Sequence, residues 1–413
     1  MKEIVILGAG TAGSMMANHL VKKINKQEWS ITIIDQHEKH YYQPGFLFIP
    51  FEIYSEKDVV KEKITFLPKG IEYIQSSIDL IEAEKNQVIL ADQTAISYDL
   101  LIIATGCNIV PDEIEGLEDG WRKNIYDFYT FEGSIALRDK IRNWKGGDLV
   151  VHLAEMPIKC SVAPLEFVFL ADWFFAKKGI RKDVTITYVT PLASAFTKPR
   201  TSAVLGHLFK KKNINLVSNF NVSHVNSENN KLVSLDGKEV DYDLLVTVPT
   251  NMGDELIERS ELGDELNFVP TDKHTLQSKT HENIFVIGDA SDIPASKAGS
   301  VAHFQAEILT KNILSYMNGK PLDAQFDGHA NCYIESGYNK AFLIDFNYEV
   351  EPVEGTFPLP LIGPFSLLKE TRMNHLGKMA FKQIYWNMLL KGIPIPTVPP
   401  HMKTSGKKLA KTK

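Results

Sequence analysis

Apolar positions along this chain follow two periods. Short runs dominated by Val, Ile and Leu at residues 4–7, 31–34, 100–103, 149–153, 184–189, 214–217, 244–248 and 284–287 have the character of strands buried in a parallel sheet. Behind the first run, Met16, Leu20 and Val21 fall at helical spacing, so strands alternate with helices, the pattern of an α/β fold. Two units are expected: one from residues 1–123 and 269–330, interrupted by another at 124–268. A third section, 331–405, ends in a stretch (365–390) where Met373, Leu376, Ala380, Ile384 and Met388 recur at helical spacing. Arg372, His375, Lys378 and Lys382 fall largely on another face of that helix. Such an amphipathic helix can lie in a bilayer interface, although packing against its own protein is the commoner case. The longest apolar run, 167–176, is broken by Asp172 and is far short of the roughly 20 residues of a membrane span, so membrane contact is expected to be peripheral.

The turn after the first strand reads Gly8-Ala9-Gly10-Thr11-Ala12-Gly13. Glycines at these places permit a tight turn and bring backbone amides and a helix N-terminus against a pyrophosphate. The second strand ends in Asp35, where a carboxylate accepts ribose hydroxyls. A dinucleotide is therefore expected in this Rossmann-like unit. Two later strand ends, Ala104-Thr105-Gly106 and Gly288-Asp289, resemble those of the FAD domain in flavoproteins with two dinucleotide-binding domains. That resemblance implies FAD, with the Gly-Asp pair beside its ribityl chain and pyrophosphate. Gln43 and Pro44, in the aromatic-rich stretch from His40 to Phe46, are expected on a loop crossing the flavin.

The second Rossmann-like unit breaks the pattern. After its first strand it reads Ala154-Glu155-Met156-Pro157-Ile158-Lys159-Cys160, with no glycine and with an anion where a pyrophosphate would lie. NADH is accordingly a poor candidate donor, and the turn presents sulfur instead. Lys297, in a stretch (295–305) that opens a helix, works against the helix dipole and is expected to face the flavin where negative charge develops. Cys332 follows early in the third section.

Composition narrows the reading further. Three cysteines in 413 residues cannot form a structural disulfide framework, so any pair is catalytic, redox-active or reduced. No cysteine pair or histidine spacing suits a metal. The formal charge of -6 argues against a nucleic-acid partner, despite a basic tail at 406–413 that is expected to be disordered. Met1-Lys2-Glu3 runs directly into a strand, so no secretory signal is expected.

With the FAD motifs, Cys160, Cys332 and the C-terminal helix, the chain resembles the sulfide:quinone oxidoreductases, flavoenzymes with two dinucleotide-binding domains. The likeness spans nearly the whole chain and is most specific at residues 157–166, 295–305 and Cys332, matching the two-cysteine members. It implies that Cys160 and Cys332 form a redox-active disulfide or polysulfide bridge on the re face of the flavin. It further implies that Glu166 is an acid near the sulfurs and that Lys297 stands near flavin and quinone. The quinone would lie on the opposite face among C-terminal aromatics, here Phe342, Phe346, Phe365 and Phe381, and the protein would be monotopic on the membrane surface. A homo-oligomer is left open. Cys107, directly after Gly106, does not match the third cysteine of many members and reads as a small buried residue. The implied chemistry begins with hydrosulfide attacking the bridge, leaving a persulfide on one cysteine and on the other a thiolate kept ionised by nearby positive potential. A type II NADH:quinone dehydrogenase would need the missing second fingerprint, and a glutathione reductase-type enzyme would carry cysteines after the first glycine turn. A flavin-binding sulfide or redox sensor without turnover is the alternative from a different class.

Overall fold

The protein is described by a computed structural model covering residues 1–409. In chain order its principal elements are β1 (Lys2–Leu7), α1 (Thr11–Leu20), β2 (Trp29–Ile34), β3 (Glu72–Ile74), β4 (Leu100–Ile103), β5 (Ile125–Tyr126), β6 (Gly147–Leu153), α2 (Ala163–Lys177), β7 (Val184–Val189), β8 (Ile214–Val217), β9 (Leu244–Val248), β10 (Ile284–Val286), α3 (Gly299–Met317), β11 (Ala330–Gly337), β12 (Lys340–Phe346), β13 (Gly355–Phe357), β14 (Phe365–Leu367) and α4 (Arg372–Ile384).

Two five-stranded parallel sheets carry the fold. The first has the order β10-β4-β1-β2-β3 and combines strands from both sides of the insertion. The second has the order β5-β9-β6-β7-β8. Their apolar runs reflect burial on two faces. In β1, Ile4 and Ile6 pack with Met15 and Met16 of α1, whereas Val5 and Leu7 pack with Ile103 and Val286 on the other side. An antiparallel pair, Cys107–Val110 with Thr250–Gly253, carries the chain between the units. The third section is a four-stranded sheet, β11-β12-β14-β13, whose Ile334, Phe342 and Ile344 join the core around α2.

The C-terminal section departs from the sequence expectation in two places. Residues 365–367 form a strand, and the helix begins only at Arg372. That helix buries Asn374, Gly377 and Lys378, while Met373 and Leu376 of the apolar stripe stand 45% and 58% exposed. Gly377 explains the choice of face, since an added Cβ there would meet the Tyr333 hydroxyl at 2.4 Å and a Phe365 ring carbon at 2.7 Å. The neighbouring loop adds Leu361 and Ile362, 92% and 79% exposed. No helix among the described residues is long and apolar enough to cross a membrane. The basic tail is ordered where it is described. Lys407 is buried in an ion pair with Asp345, its backbone bridges Gly355, and the Lys408 amide bonds to the Glu354 carbonyl. The rest of that tail, 410–413, lies outside the described residues.

Candidate active site

The glycine turn of the first unit is sterically fixed. Gly8 has φ +91°, and an added Cβ would sit 2.6 Å from the Ala104 carbonyl oxygen; at Gly13 it would sit 1.8 Å from the Gly8 oxygen. Gly10 faces open space. Both α1 and α3 begin without a side-chain cap or an acid in the first turn, leaving N-terminal amides for a ligand. They open onto a cleft of about 660 Å³, lined by the expected Gly8, Gly10, Asp35, Gln43, Pro44, Ala104, Thr105, Gly106, Gly288, Asp289 and Lys297. Gly13 lies behind the turn it permits. Thr105 contributes a buried hydroxyl oxygen without a partner.

Two expected residues are engaged differently from the sequence reading. Asp35 accepts the Ala9 amide at 2.7 Å and the His37 amide at 2.8 Å, and it pairs with the buried ammonium of Lys63. Its carboxylate therefore holds the glycine turn as well as facing the cleft. Lys297 precedes α3 instead of standing in its first turn. Its Nζ donates to the carbonyls of Asp289 (2.8 Å) and Ser291 (2.7 Å) and lies 3.9 Å from the centre of the Phe268 ring. Burial pulls its ammonium below the ordinary lysine range, with the Asp289 carboxylate opposing. It thus ties down the Gly-Asp loop at the cleft wall.

The glycine-free turn delivers Cys160 to the same cleft. Cys160 keeps a left-handed backbone, φ +47°, a conformation usually left to glycine and costly for a side chain. Its amide donates to the Lys297 carbonyl at 2.8 Å; its own carbonyl accepts the Ala163 amide at 2.8 Å and the Tyr129 hydroxyl at 3.3 Å. Cys332, on β11, packs against the same core from outside the cleft lining, and both thiols are free. Burial pushes the Cys160 thiol up to about 12, with Glu166 adding to the rise and Lys378 opposing it. Cys332 rises to about 11, again chiefly by burial. In the dithiol form both thiols therefore stand above the ordinary cysteine range, burial outweighing the one facing lysine.

Glu166, in the first turn of α2, is fully buried. It takes Lys378 Nζ at 2.8 Å on Oε1 and the Glu335 amide at 2.7 Å on the same oxygen. Burial is the largest influence on Lys378 and works against its charge, but Glu166, Cys160 and Glu335 together offset it and hold the ammonium above the ordinary lysine range.

The pyridine nucleotide-disulphide oxidoreductase family model matches residues 2–141 and 168–306, and the gap between the two segments contains the glycine-free turn and Cys160. The mitochondrial sulfide:quinone oxidoreductase of Dictyostelium discoideum is 32% identical over 94% of this chain and 86% of its own length. This chain belongs to the sulfide:quinone oxidoreductase family. The mouse mitochondrial sulfide:quinone oxidoreductase is 27% identical over 94% of the chain and 86% of its own length. The crystal structure of the Aquifex aeolicus sulfide:quinone oxidoreductase superposes with a TM-score of 0.79 at 22% identity, covering 95% of this chain and 92% of that one, and so shares the fold.

The cofactor of this sulfide:quinone oxidoreductase family member is FAD, and the cleft fits it: two uncapped helix N-termini, open space at Gly10 and the unpartnered Thr105 hydroxyl suit a pyrophosphate and its ribose. The four expected quinone aromatics do not line the cleft. Phe342 is a core side chain beneath α2, Phe346 lies under Lys198, Phe365 stands edge-on to Tyr333, and Phe381 packs against the first unit. The aromatic that reaches the cleft from the C-terminal section is Tyr385, bonded to Thr11 Oγ1 at 2.7 Å and His40 Nε2 at 2.6 Å. Cys107 is buried, as expected, and also lines the cleft. Lys63, Lys378 and Tyr385 were missed from sequence. A signal existed for two of them: Asn374, Gly377, Lys378, Phe381 and Tyr385 form a second helical stripe beside the apolar one.

Proposed function

We propose that this protein oxidises sulfide at Cys160 and Cys332 and passes the electrons to a quinone at a membrane surface. The observation that carries the reading is Cys160 itself: a cysteine in a left-handed, glycine-like conformation at the wall of the FAD cleft, in the turn where a second nucleotide would otherwise bind. In its oxidised form the pair is a Cys160-Cys332 disulfide. Hydrosulfide attacks one sulfur, the bridge opens, and the product is a persulfide on one cysteine and a thiolate on the other. Lys378 and Glu166 line the cleft with Cys160; the ammonium, which favours the ionised form of both sulfurs, stabilises that thiolate, and Glu166 takes the proton. Tyr129 and the Lys297 carbonyl hold the Cys160 backbone, so the attacked sulfur stays at the cleft wall. FAD, held by the glycine turn, Asp35 and the Gly288-Asp289 loop, would supply the two-electron acceptor between the sulfur pair and the quinone. Lys297 braces the Gly-Asp loop beside that cofactor.

Leu361, Ile362, Met373 and Leu376 are exposed apolar side chains of the C-terminal section, which also exposes Lys369 and Arg372. This supports a monotopic association with lipid, from which the quinone would enter. The same section also supplies Tyr385 to the cleft. The NADH:quinone dehydrogenase reading is disfavoured because Cys160 and the side chains of 154–159 occupy the place of a pyrophosphate turn. Turnover of a soluble quinone with sulfide should far exceed turnover with NADH; the reverse order would refute the assignment.

A further inference from the structure

Immediately after α4 the chain winds more widely than an α-helix. Residues Tyr385–Leu389 form a π turn, a local irregularity that recurs at functional sites. Consecutive side chains, Tyr385 and Trp386, are both turned inward, and Leu389 and Leu390 are buried with them. This stretch follows α1 from one end to the other. Near the C-terminal end of α1, Asn18 Nδ2 donates to the Leu390 carbonyl at 2.9 Å, Lys22 Nζ donates to the Lys391 carbonyl at 2.8 Å, and a Cβ added at Gly392 would lie 3.1 Å from His19 Cδ2. At the N-terminal end stands Tyr385. Its hydroxyl meets Oγ1 of Thr11, the first residue of α1, at 2.7 Å and His40 Nε2 at 2.6 Å. A Cβ added at Gly299, the first residue of α3, would lie 3.9 Å from both Tyr385 Cε2 and Thr11 Cγ2. Tyr385 thus stands where the two uncapped helix N-termini of the cofactor cleft converge, and Thr11, His40 and Gly299 line that cleft with it. Its ring is held from the other side by Tyr42 and Trp386, with centroids 4.9 and 5.2 Å away.

We propose that Tyr385 is a positioning residue for FAD, acting through Thr11, and that cofactor binding and the seating of residues 385–392 on α1 are reciprocally coupled. The proposal rests on FAD occupying the cleft and is independent of the cysteine pair. A pyrophosphate is held by the first amides of α1, so its affinity depends on where the first residue of that helix is fixed. Tyr385 fixes it from the C-terminal section. Cofactor that immobilises Thr11 in turn offers Tyr385 a rigid partner, and two events that share one contact strengthen each other by the same factor. A chain without FAD therefore holds its C-terminal section less firmly than the loaded protein.

The test uses FAD-loaded wild type, Tyr385→Phe, Thr11→Val and the double variant, with FAD released on dilution read by its fluorescence. Tyr385→Phe keeps the ring and removes the shared hydroxyl, so the Kd for FAD should rise about 10-fold, the scale of one lost hydrogen bond with a partner left unsatisfied. On the Thr11→Val background the same change should add little, because the contact is already gone. Limited proteolysis supplies the reciprocal reading. Tyr385→Phe should be cut within 385–409 faster than wild type, and saturating FAD should restore resistance. Thr11→Val should loosen the same segment from 374 positions away, which tests the coupling even where Tyr385→Phe does not fold. Wild-type FAD affinity in Tyr385→Phe would overturn the proposal. So would losses that multiply in the double variant, or cleavage that FAD leaves unchanged, the mark of a packing defect.

Discussion

Glu166 and Lys378 show what a buried ion pair at the cleft costs at the scale of single residues. Each is a charge taken out of water, tolerable because the other neutralises it at 2.8 Å and the Glu335 amide satisfies a further lone pair. Lys378→Met should therefore destabilise the protein by about 3–5 kcal/mol, by leaving a buried carboxylate unpaired. Adding Glu166→Gln should recover much of that loss, and urea unfolding of the single and double variants measures both. Gly13→Ala should leave the protein unable to retain FAD, since the new Cβ would stand 1.8 Å from the Gly8 oxygen; flavin content after purification reads this directly. The glycine turn was legible because its chemistry is local. Lys378 was not, because its partner lies 212 positions away and only the fold joins them. Lys63 is similar: its partner Asp35 is close in sequence, but the pairing needs the strand pair Lys39–Tyr41 and Val60–Glu62 to bring Lys63 back over the turn.

Among the elements, α4 reverses the usual rule for an amphipathic helix. Its periodicity announces a helix but cannot say which stripe faces inward, and here the polar and small one does, because Asn374 and Gly377 meet the strands beneath and Lys378 pairs with Glu166 of α2. Met373 and Leu376 of the apolar stripe stay exposed, whereas Ile384 packs on the core. Leu376→Glu combined with Leu361→Asp should abolish binding to anionic vesicles while leaving the unfolding midpoint and the bleaching of the flavin by sulfide unchanged. Cosedimentation with vesicles checks the first and denaturation the second. Vesicle binding that survives both charges would remove the membrane role of this face. The tail gives the opposite lesson. The basic run predicts disorder for residues 406–408, yet Lys407 finds a buried acid in Asp345, which also bonds to His329 at 2.8 Å.

For the whole molecule, the α/β class, the interrupted first unit and the glycine-free second unit were legible, because apolar runs and strand-end motifs carry them. How the third section closes over the second unit was not, since it depends on Ile334, Phe342 and Ile344 joining a core whose other members are distant in sequence. Burial also sets the acid limit of the fold. His19 and His303 fall from 6.5 to about 4, and His40 and His152 to about 3, all chiefly through desolvation. Their folded values lie below the unfolded ones, so the unfolded chain binds more protons, and stability that is level above about pH 7 should fall as pH drops through 6.5 toward 4. Burial pushes the Glu166, Asp289 and Glu307 carboxyls up, which acts in the opposite sense and softens the fall. Thermal midpoints that stay constant between pH 7.5 and 5 would contradict four neutral buried imidazoles.

The most direct measurement of the sulfur relay is single-turnover bleaching of bound FAD by sulfide, without oxygen, in wild type, Cys160→Ser and Cys332→Ser. A relay through both cysteines predicts rapid bleaching in wild type and a loss of several orders of magnitude in each variant, with flavin content unchanged. Bleaching at the wild-type rate in either variant would contradict it.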